Sequence, residues 1–281
     1  MGTQVSQEVA CIVRQVIPCF ADSMTYSISP GGPGPSLVHL AGISEFPLWD
    51  FDEVCGAQES LFFRALRNPM IRIVRTRADL IADEKTNLLL GMRYPPDSMT
   101  LWRMQKLRRY GVGVMSVAHN EQKQYGDGTR GTGGLTNKGK DLLRWMHACD
   151  IIPDLSGVGY ITAKEVLDFI LSEKLLMKPM ASHSGCYTQS FCYQDLTDYL
   201  LRRMSHIDGY VGIPYTHREE FMRHATHAFR MMLGWKKVGV CSSHGHRSHF
   251  EIATDLAREN LSPHIFGQNF KEFLMRALPQ T

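Results

Sequence analysis

Asp22, Arg93, His119 and His183 each close a short apolar run, in "CFAD", "LLLGMR", "MSVAH" and "MASH". A carboxylate, a guanidinium and two imidazoles brought to one place can move protons or hold a metal. The matching positions after other apolar runs hold Gln58, Gly157, Tyr215 with His217 close behind, and Ser243 followed by His244 and His246. A carboxylate at the end of a buried run needs a cation or several donors. Arg93 is the expected partner of Asp22, either as a working pair or as a structural ion pair. His183 reads as a general acid or base, or as a hydrogen-bonded core histidine. "CSSHGHRSHF" is the densest histidine cluster, and the alternative to a site there is a polar loop. His244 and His246 reach one point only if that segment is extended. With Asp22 or His183 they would make up the three or four ligands that zinc requires.

These residues depend on the elements that carry them. Apolar runs that do not alternate recur at 14–21, 53–57, 87–93, 111–118, 151–156, 179–184, 207–214 and 237–243, and helical patterns separate most of them. Strand–helix alternation with doubly buried strands indicates a parallel α/β sheet. Eight such units in 281 residues predict a single (β/α)8 TIM-type barrel spanning 1–281. A Pro/Gly loop is expected over 27–50 and a Gly-rich loop over 120–139, each after a strand, where such barrels build their sites. Thr162 and Glu165 have the spacing of a capping box at the start of a helix.

Several function classes are excluded or disfavoured. A net charge of +3, with its basic residues dispersed, gives no footprint for nucleic acid. "GTRGTGG" lacks both phosphate-loop and dinucleotide spacings, and "SHSGC" is no G-x-S-x-G elbow. Seven irregularly spaced cysteines without a CxxC pair suit a reducing compartment, so a cytoplasmic location is expected. The N-terminus lacks the pattern of a signal peptide, although "MGTQVS" fits the short myristoylation pattern. No apolar run approaches the ~20 residues needed to span a bilayer.

The chain resembles the membrane (renal) dipeptidase family of binuclear-zinc (β/α)8 barrels. "VIPCFAD" is similar to that family's "VIDGHND", "GVGVMSVAHNE" to "GVRYLTLTHN", and "KPMASHSGCY" to "PVIFSHS". "EVCGAQ" resembles its second-strand segment, "YVGIP" its seventh strand, "KKVGVCSS" its "VGIGSDFDG", and "GQNFKEFL" its terminal "GGNFLRVL". The "GLT…DLS…SHS" run is the most specific part. The resemblance implies that the first-strand histidine ligand falls on Phe20, with its aspartate kept as Asp22. The metal-bridging glutamate falls on Arg93, or on Met92 in a slipped register. The "DLSH" histidine falls on Gly157, while that of "SHS" is kept as His183. The substrate-contacting histidine is kept as His119. The arginine of an "RN" pair falls on Gln194, and the acid–base aspartate on Ser243.

Arg93 cannot deprotonate to become a ligand. It would repel a dication at ~4 Å by several kcal/mol at an effective dielectric near 20. The ordinary binuclear site is therefore expected to be lost, and no cofactor is expected. The leading expectation is a metal-free enzyme acting by acid–base chemistry on a small amino-acid- or dipeptide-like substrate. Asp22, Arg93 and His183 would be catalytic, and His119, Gln194, His244 and Tyr215 would bind substrate. One alternative is a non-catalytic relative that binds a ligand or partner. Another is an amide hydrolase with zinc relocated to Asp22, His183, His244 and His119. The resemblance also implies a homodimer.

Overall fold

The structure, a computed structural model, describes residues 38–43, 51–81, 85–120, 124–241, 263–280 and a few positions from 252 to 259. The expected strand at 14–21, Phe20, Asp22, Ser243, His244 and His246 lie outside the described residues.

Eight strands form one parallel sheet: β1 (Val38–Ile43), β2 (Ile71–Ile73), β3 (Thr86–Met92), β4 (Val112–Ser116), β5 (Ile152–Asp154), β6 (Met180–Ala181), β7 (Tyr210–Pro214) and β8 (Val238–Cys241). The path runs β1-β3-β4-β5-β6-β7-β8, with β2 pairing β3 off that path. Every residue of β3 and of β4 is buried. Burial on both faces is why these strands read as continuous apolar runs. Between them lie α1 (Phe51–Arg67), α2 (Leu101–Arg109), α3 (Asn137–Ala148), α4 (Tyr160–Ser172), the single turn α5 (Tyr187–Ser190), α6 (Asp198–His206) and α7 (Arg218–Met232). A last helix, α8 (Gln268–Ala277), follows β8.

Threonines start three of the helices. Thr100, Thr136 and Thr197 accept backbone N–H bonds from Arg103, Gly139 and Leu200 at the N-termini of α2, α3 and α6. α8 is tied back by Asn269, whose Nδ2 donates to the Val238 carbonyl at 2.7 Å.

Three expectations are corrected. "EVCGA" is no strand but the first turns of α1. Phe51, Val54, Cys55, Gln58, Leu61 and Ala65 are all buried, at the three-to-four spacing of one helix face. Gln58 therefore leaves the mouth, and its Nε2 donates to the Tyr110 carbonyl at 3.2 Å, just before β4 begins. The expected 27–50 loop contains β1, which pairs β3 from Val38↔Asn87 to Ile43↔Met92. The capping box of Thr162 and Glu165 does not form, because α4 starts from Gly159 without a side-chain cap.

Those two side chains fasten the Gly-rich loop instead. Thr162 Oγ1 accepts from Asp127 N at 2.9 Å, and Glu165 Oε2 from Leu135 N at 2.6 Å. Asp127 Oδ2 takes the N–H of Gly133 at 2.6 Å. The loop's donors thus go to the protein's own carboxylates. Its glycines are needed for close approach: a Cβ at Gly134 would stand 2.1 Å from Glu165 Oε2, and one at Gly128 2.2 Å from the Asn120 carbonyl.

Candidate active site

The C-terminal ends of β3 to β6 gather the candidate residues. Register places Ser116 opposite Asp154, and Asp154 opposite Met180. Arg93 follows the last residue of β3, His119 lies three residues past β4, and His183 two past β6.

Arg93 and His183 meet directly, with Nη2 2.9 Å from Nε2. Behind the imidazole, His183 Nδ1 is 2.9 Å from Ser182 Oγ, which donates to Asp154 Oδ2 at 2.5 Å. Asp154 Oδ1 accepts from the backbone N–H of both Ser156 and Ser182, each at 3.0 Å. Ser156 Oγ accepts from His183 N at 3.0 Å and lies 3.2 Å from Ser182 Oγ. Ser116 Oγ donates to the Asp154 carbonyl at 2.9 Å. Asp154, Ser156, Ser182 and Ser116 are buried, whereas Arg93 and His183 keep partial access to solvent. Burial lowers the Arg93 pKa, and the negative charge of Asp154 acts against that shift.

His119 stands beside this chain. Burial first, then the charge of Arg93, pushes its pKa down to about 4, against a hydrogen bond to the backbone of Ser156. The imidazole is therefore neutral at physiological pH. Tyr94 packs edge-on against the ring at 5.2 Å. His119 Nδ1 is buried and has no hydrogen-bond partner. It lies against Gly157, whose φ is +69°. A Cβ there would stand 2.0 Å from His119 Nδ1 and 2.2 Å from Cε1. His119 thus fills the space that a side chain at 157 would need.

The remaining predicted residues are placed apart from this chain of contacts. Tyr215 is buried, and its hydroxyl donates to Asp255 Oδ2 at 2.7 Å. Gln194 is exposed in the segment after β6, where its carbonyl accepts from Ser184 Oγ at 3.4 Å. Asp195, its neighbour, accepts from Gly185 N at 2.7 Å and from Ser190 Oγ. Met92 is buried, so Arg93 rather than Met92 makes the contact to His183.

Sequence reasoning missed Asp154, Ser156 and Ser182. The signal was present, because the demand that a buried carboxylate find donors holds for "IIPDLS" as well as for "CFAD". In "DLS" and "SHS" the donors stand beside the groups they serve.

The comparisons agree with this architecture. The family model of membrane dipeptidase (peptidase family M19) matches residues 64–256. A metallo peptidase from Rhodobacter sphaeroides, liganded with a phosphinate mimic of the dipeptide L-Ala-D-Ala, is similar in structure with a TM-score of 0.72. Identity is 15%, and the match covers 93% of this chain and 99% of that one. The probable dipeptidase PvdM from Pseudomonas aeruginosa gives 0.74 at 13% identity, with 99% of each chain covered. An amidohydrolase from Pseudomonas aeruginosa gives 0.71 at 16% identity, covering 86% of this chain and 88% of that one. No curated protein matches the chain by sequence. Among the described residues, no helix is long and apolar enough to cross a membrane.

Proposed function

The chain belongs to the membrane dipeptidase family, and from that premise we propose that it is a divergent member working without the family's zinc centre. In this reading residues 1–281 form one closed (β/α)8 barrel. Its mouth performs acid–base chemistry on a small amino-acid- or dipeptide-like substrate. The observation that carries the reading is the 2.9 Å contact of Arg93 Nη2 with His183 Nε2. A guanidinium is always charged and always a donor, so it takes the lone pair that a metal would need and sets a positive charge in the metal's place. Among the described residues, no three His, Cys, Asp or Glu side chains group as a metal site. Among the described residues, Arg93 and Gly157 do not fit the family's zinc ions.

Arg93 supplies a planar cation suited to a substrate carboxylate, which it would grip through two parallel N–H bonds. Turning toward that carboxylate moves Arg93 off His183 Nε2, so that the imidazole lone pair can face the bound substrate. A neutral imidazole there can take a proton from the atom next to the carboxylate, and Arg93 stabilises the negative charge that develops. Returning the proton from His183 to a neighbouring atom on the same face gives isomerisation, and expelling a neighbouring leaving group, with the proton kept on His183, gives elimination. His119, neutral and buried beside Arg93, lines the site without adding charge. Asp22, Gln194, His244 and Tyr215 remain candidate contacts in this reading.

Elemental mass spectrometry on the purified, untagged chain tests the proposal. Metal far below one equivalent is expected, unchanged in His183→Ala. With a carboxylate substrate found by screening, Arg93→Ala should abolish turnover. One equivalent of a transition metal, lost in His183→Ala, would overturn the reading and point to a relocated hydrolytic centre.

A further inference from the structure

The hydrogen-bond chain Arg93–His183–Ser182–Asp154 has two ends whose proton roles are fixed. Arg93 can only donate, so His183 Nε2 must accept. A neutral imidazole that accepts at Nε2 carries its proton on Nδ1, which must donate to Ser182 Oγ, 2.9 Å away. At the other end, the Asp154 carboxylate can only accept, so Ser182 must give its single proton to Oδ2 at 2.5 Å. Two lone pairs remain on Ser182 Oγ. One receives His183 Nδ1–H, and the other receives the hydroxyl of Ser156, 3.2 Å away. Ser156 Oγ in turn accepts from His183 N at 3.0 Å. Among the contacts of the described residues named here, this assignment gives each of these donors an acceptor.

We propose that Asp154 and Ser182 are positioning residues that set which nitrogen His183 turns to the mouth: they hold the proton on Nδ1 and present Nε2 as a bare lone pair. Neither touches the mouth directly. Asp154 acts through Ser182, and Ser156 keeps the Ser182 hydroxyl from rotating. The proposal deepens the function given above, because a His183 with its proton on Nε2 is no base toward the mouth and cannot accept from Arg93.

Substituting Asp154 by Asn reverses that end of the chain. An amide can keep its oxygen toward the two backbone N–H groups at the Oδ1 position. Its NH2 then faces Ser182 Oγ and donates. Ser182 must then turn its own proton toward Ser156 Oγ or toward His183 Nδ1. Removing Ser156 Oγ as well, in Asp154→Asn/Ser156→Ala, leaves only the second acceptor, which drives the imidazole to the Nε2–H tautomer against a guanidinium that also donates. An aspartate-to-asparagine change behind a catalytic histidine has this consequence in the serine-protease triad.

The test is ¹⁵N NMR of the full chain labelled at histidine, with His183 assigned by the signal missing in His183→Gln. The wild type should show a protonated Nδ1 and an unprotonated Nε2. Asp154→Asn/Ser156→Ala should invert the tautomer. Ser182→Ala should speed solvent exchange of the Nδ1 proton by at least about tenfold as its acceptor is lost, whereas Ser182→Thr, which keeps the hydroxyl, should restore the wild-type signal. A wild-type Nε2–H tautomer would overturn the proposal, even if Asp154→Asn/Ser156→Ala failed to fold. So would a folded Asp154→Asn/Ser156→Ala that retains Nδ1–H. Adding Zn²⁺ to the wild type separates this proposal from the metal-free reading. A Zn²⁺-induced shift of the Nε2 signal, with Nδ1 still protonated, would remove the metal-free reading and leave the positioning role standing.

Discussion

His183 at the mouth and the histidines of α7 are all wired to carboxylates or backbone, yet with opposite polarity. His227 Nε2 is 2.7 Å from Asp198 Oδ1, so it donates there, and its Nδ1 faces Gln189 Nε2 at 3.3 Å and accepts. His224 also accepts at Nδ1, from Cys186 N at 2.8 Å. His183 donates from Nδ1 toward Ser182 and accepts at Nε2 from Arg93. Both nitrogens of His227 end on groups that belong to the local packing of α5, α6 and α7. The outer nitrogen of His183 ends on a partly exposed cation. A histidine and a nearby aspartate are therefore not yet a site, and what meets the second nitrogen decides whether the imidazole can work. The cysteine beside His224 makes the same point. Burial, with the charges of Asp195 and Asp198, pushes the Cys186 thiol up to about 12, which leaves it protonated and unreactive.

The largest effect is expected from Asp154→Ala. It strips the acceptor from two backbone N–H groups and one hydroxyl in a buried site, at a cost of roughly 3–4 kcal/mol in chemical denaturation. A loss below about 1 kcal/mol would show that water replaces the carboxylate and that the mouth is no more ordered than α7.

Gly157→Ala comes next, because its φ of +69° and the His119 ring both oppose a Cβ. Strain and overpacking together should cost about 2–3 kcal/mol. Adding His119→Ala should recover the overpacking part in a double-mutant cycle, and strict additivity would show that the ring does not fill this space.

The third prediction concerns pH. Burial and the charge of Arg93 push the His119 pKa from its ordinary 6.5 down to about 4, so its neutral form is favoured in the fold. The associated stability is fully present above pH 6.5 and is lost as pH falls through 4. Between pH 7 and pH 5 the loss should be roughly 2 kcal/mol. His119→Gln should flatten that slope when unfolding is followed at both pH values. An unchanged slope would assign the loss to other groups.

The smallest effect should come from Asp198→Asn. The hydrogen bond from His227 to Asp198 is partly exposed, and its weakening should cost under about 1 kcal/mol and leave turnover unchanged.

Much of the fold was legible in the sequence because doubly buried strands leave uninterrupted apolar runs. β4 to β8 each fall within a predicted run, and β3 begins one residue before its own. The first elements were not legible in the same way. "EVCGA" is short and apolar, a pattern that fits a strand as well as a helix turn, and only the burial of Leu61 and Ala65 further along completes the helix face. β2 has three residues, too few to show a period, and β1 sits in a segment whose prolines and glycines argued for a loop.

At the mouth, the sequence by itself determined the chemical types: a guanidinium at Arg93, no side chain at Gly157, and imidazoles at His119 and His183. What each can donate or accept follows from side-chain chemistry alone. The tertiary structure decided the partners. Arg93 is found against His183, and the carboxylate behind that histidine is Asp154; Asp22, the expected partner of Arg93, lies outside the described residues. Sequence order gives no information on direction across a sheet. Only the parallel register that sets Ser116, Asp154 and Met180 side by side could show that the serines of two different strand ends close one hydrogen-bond chain around His183.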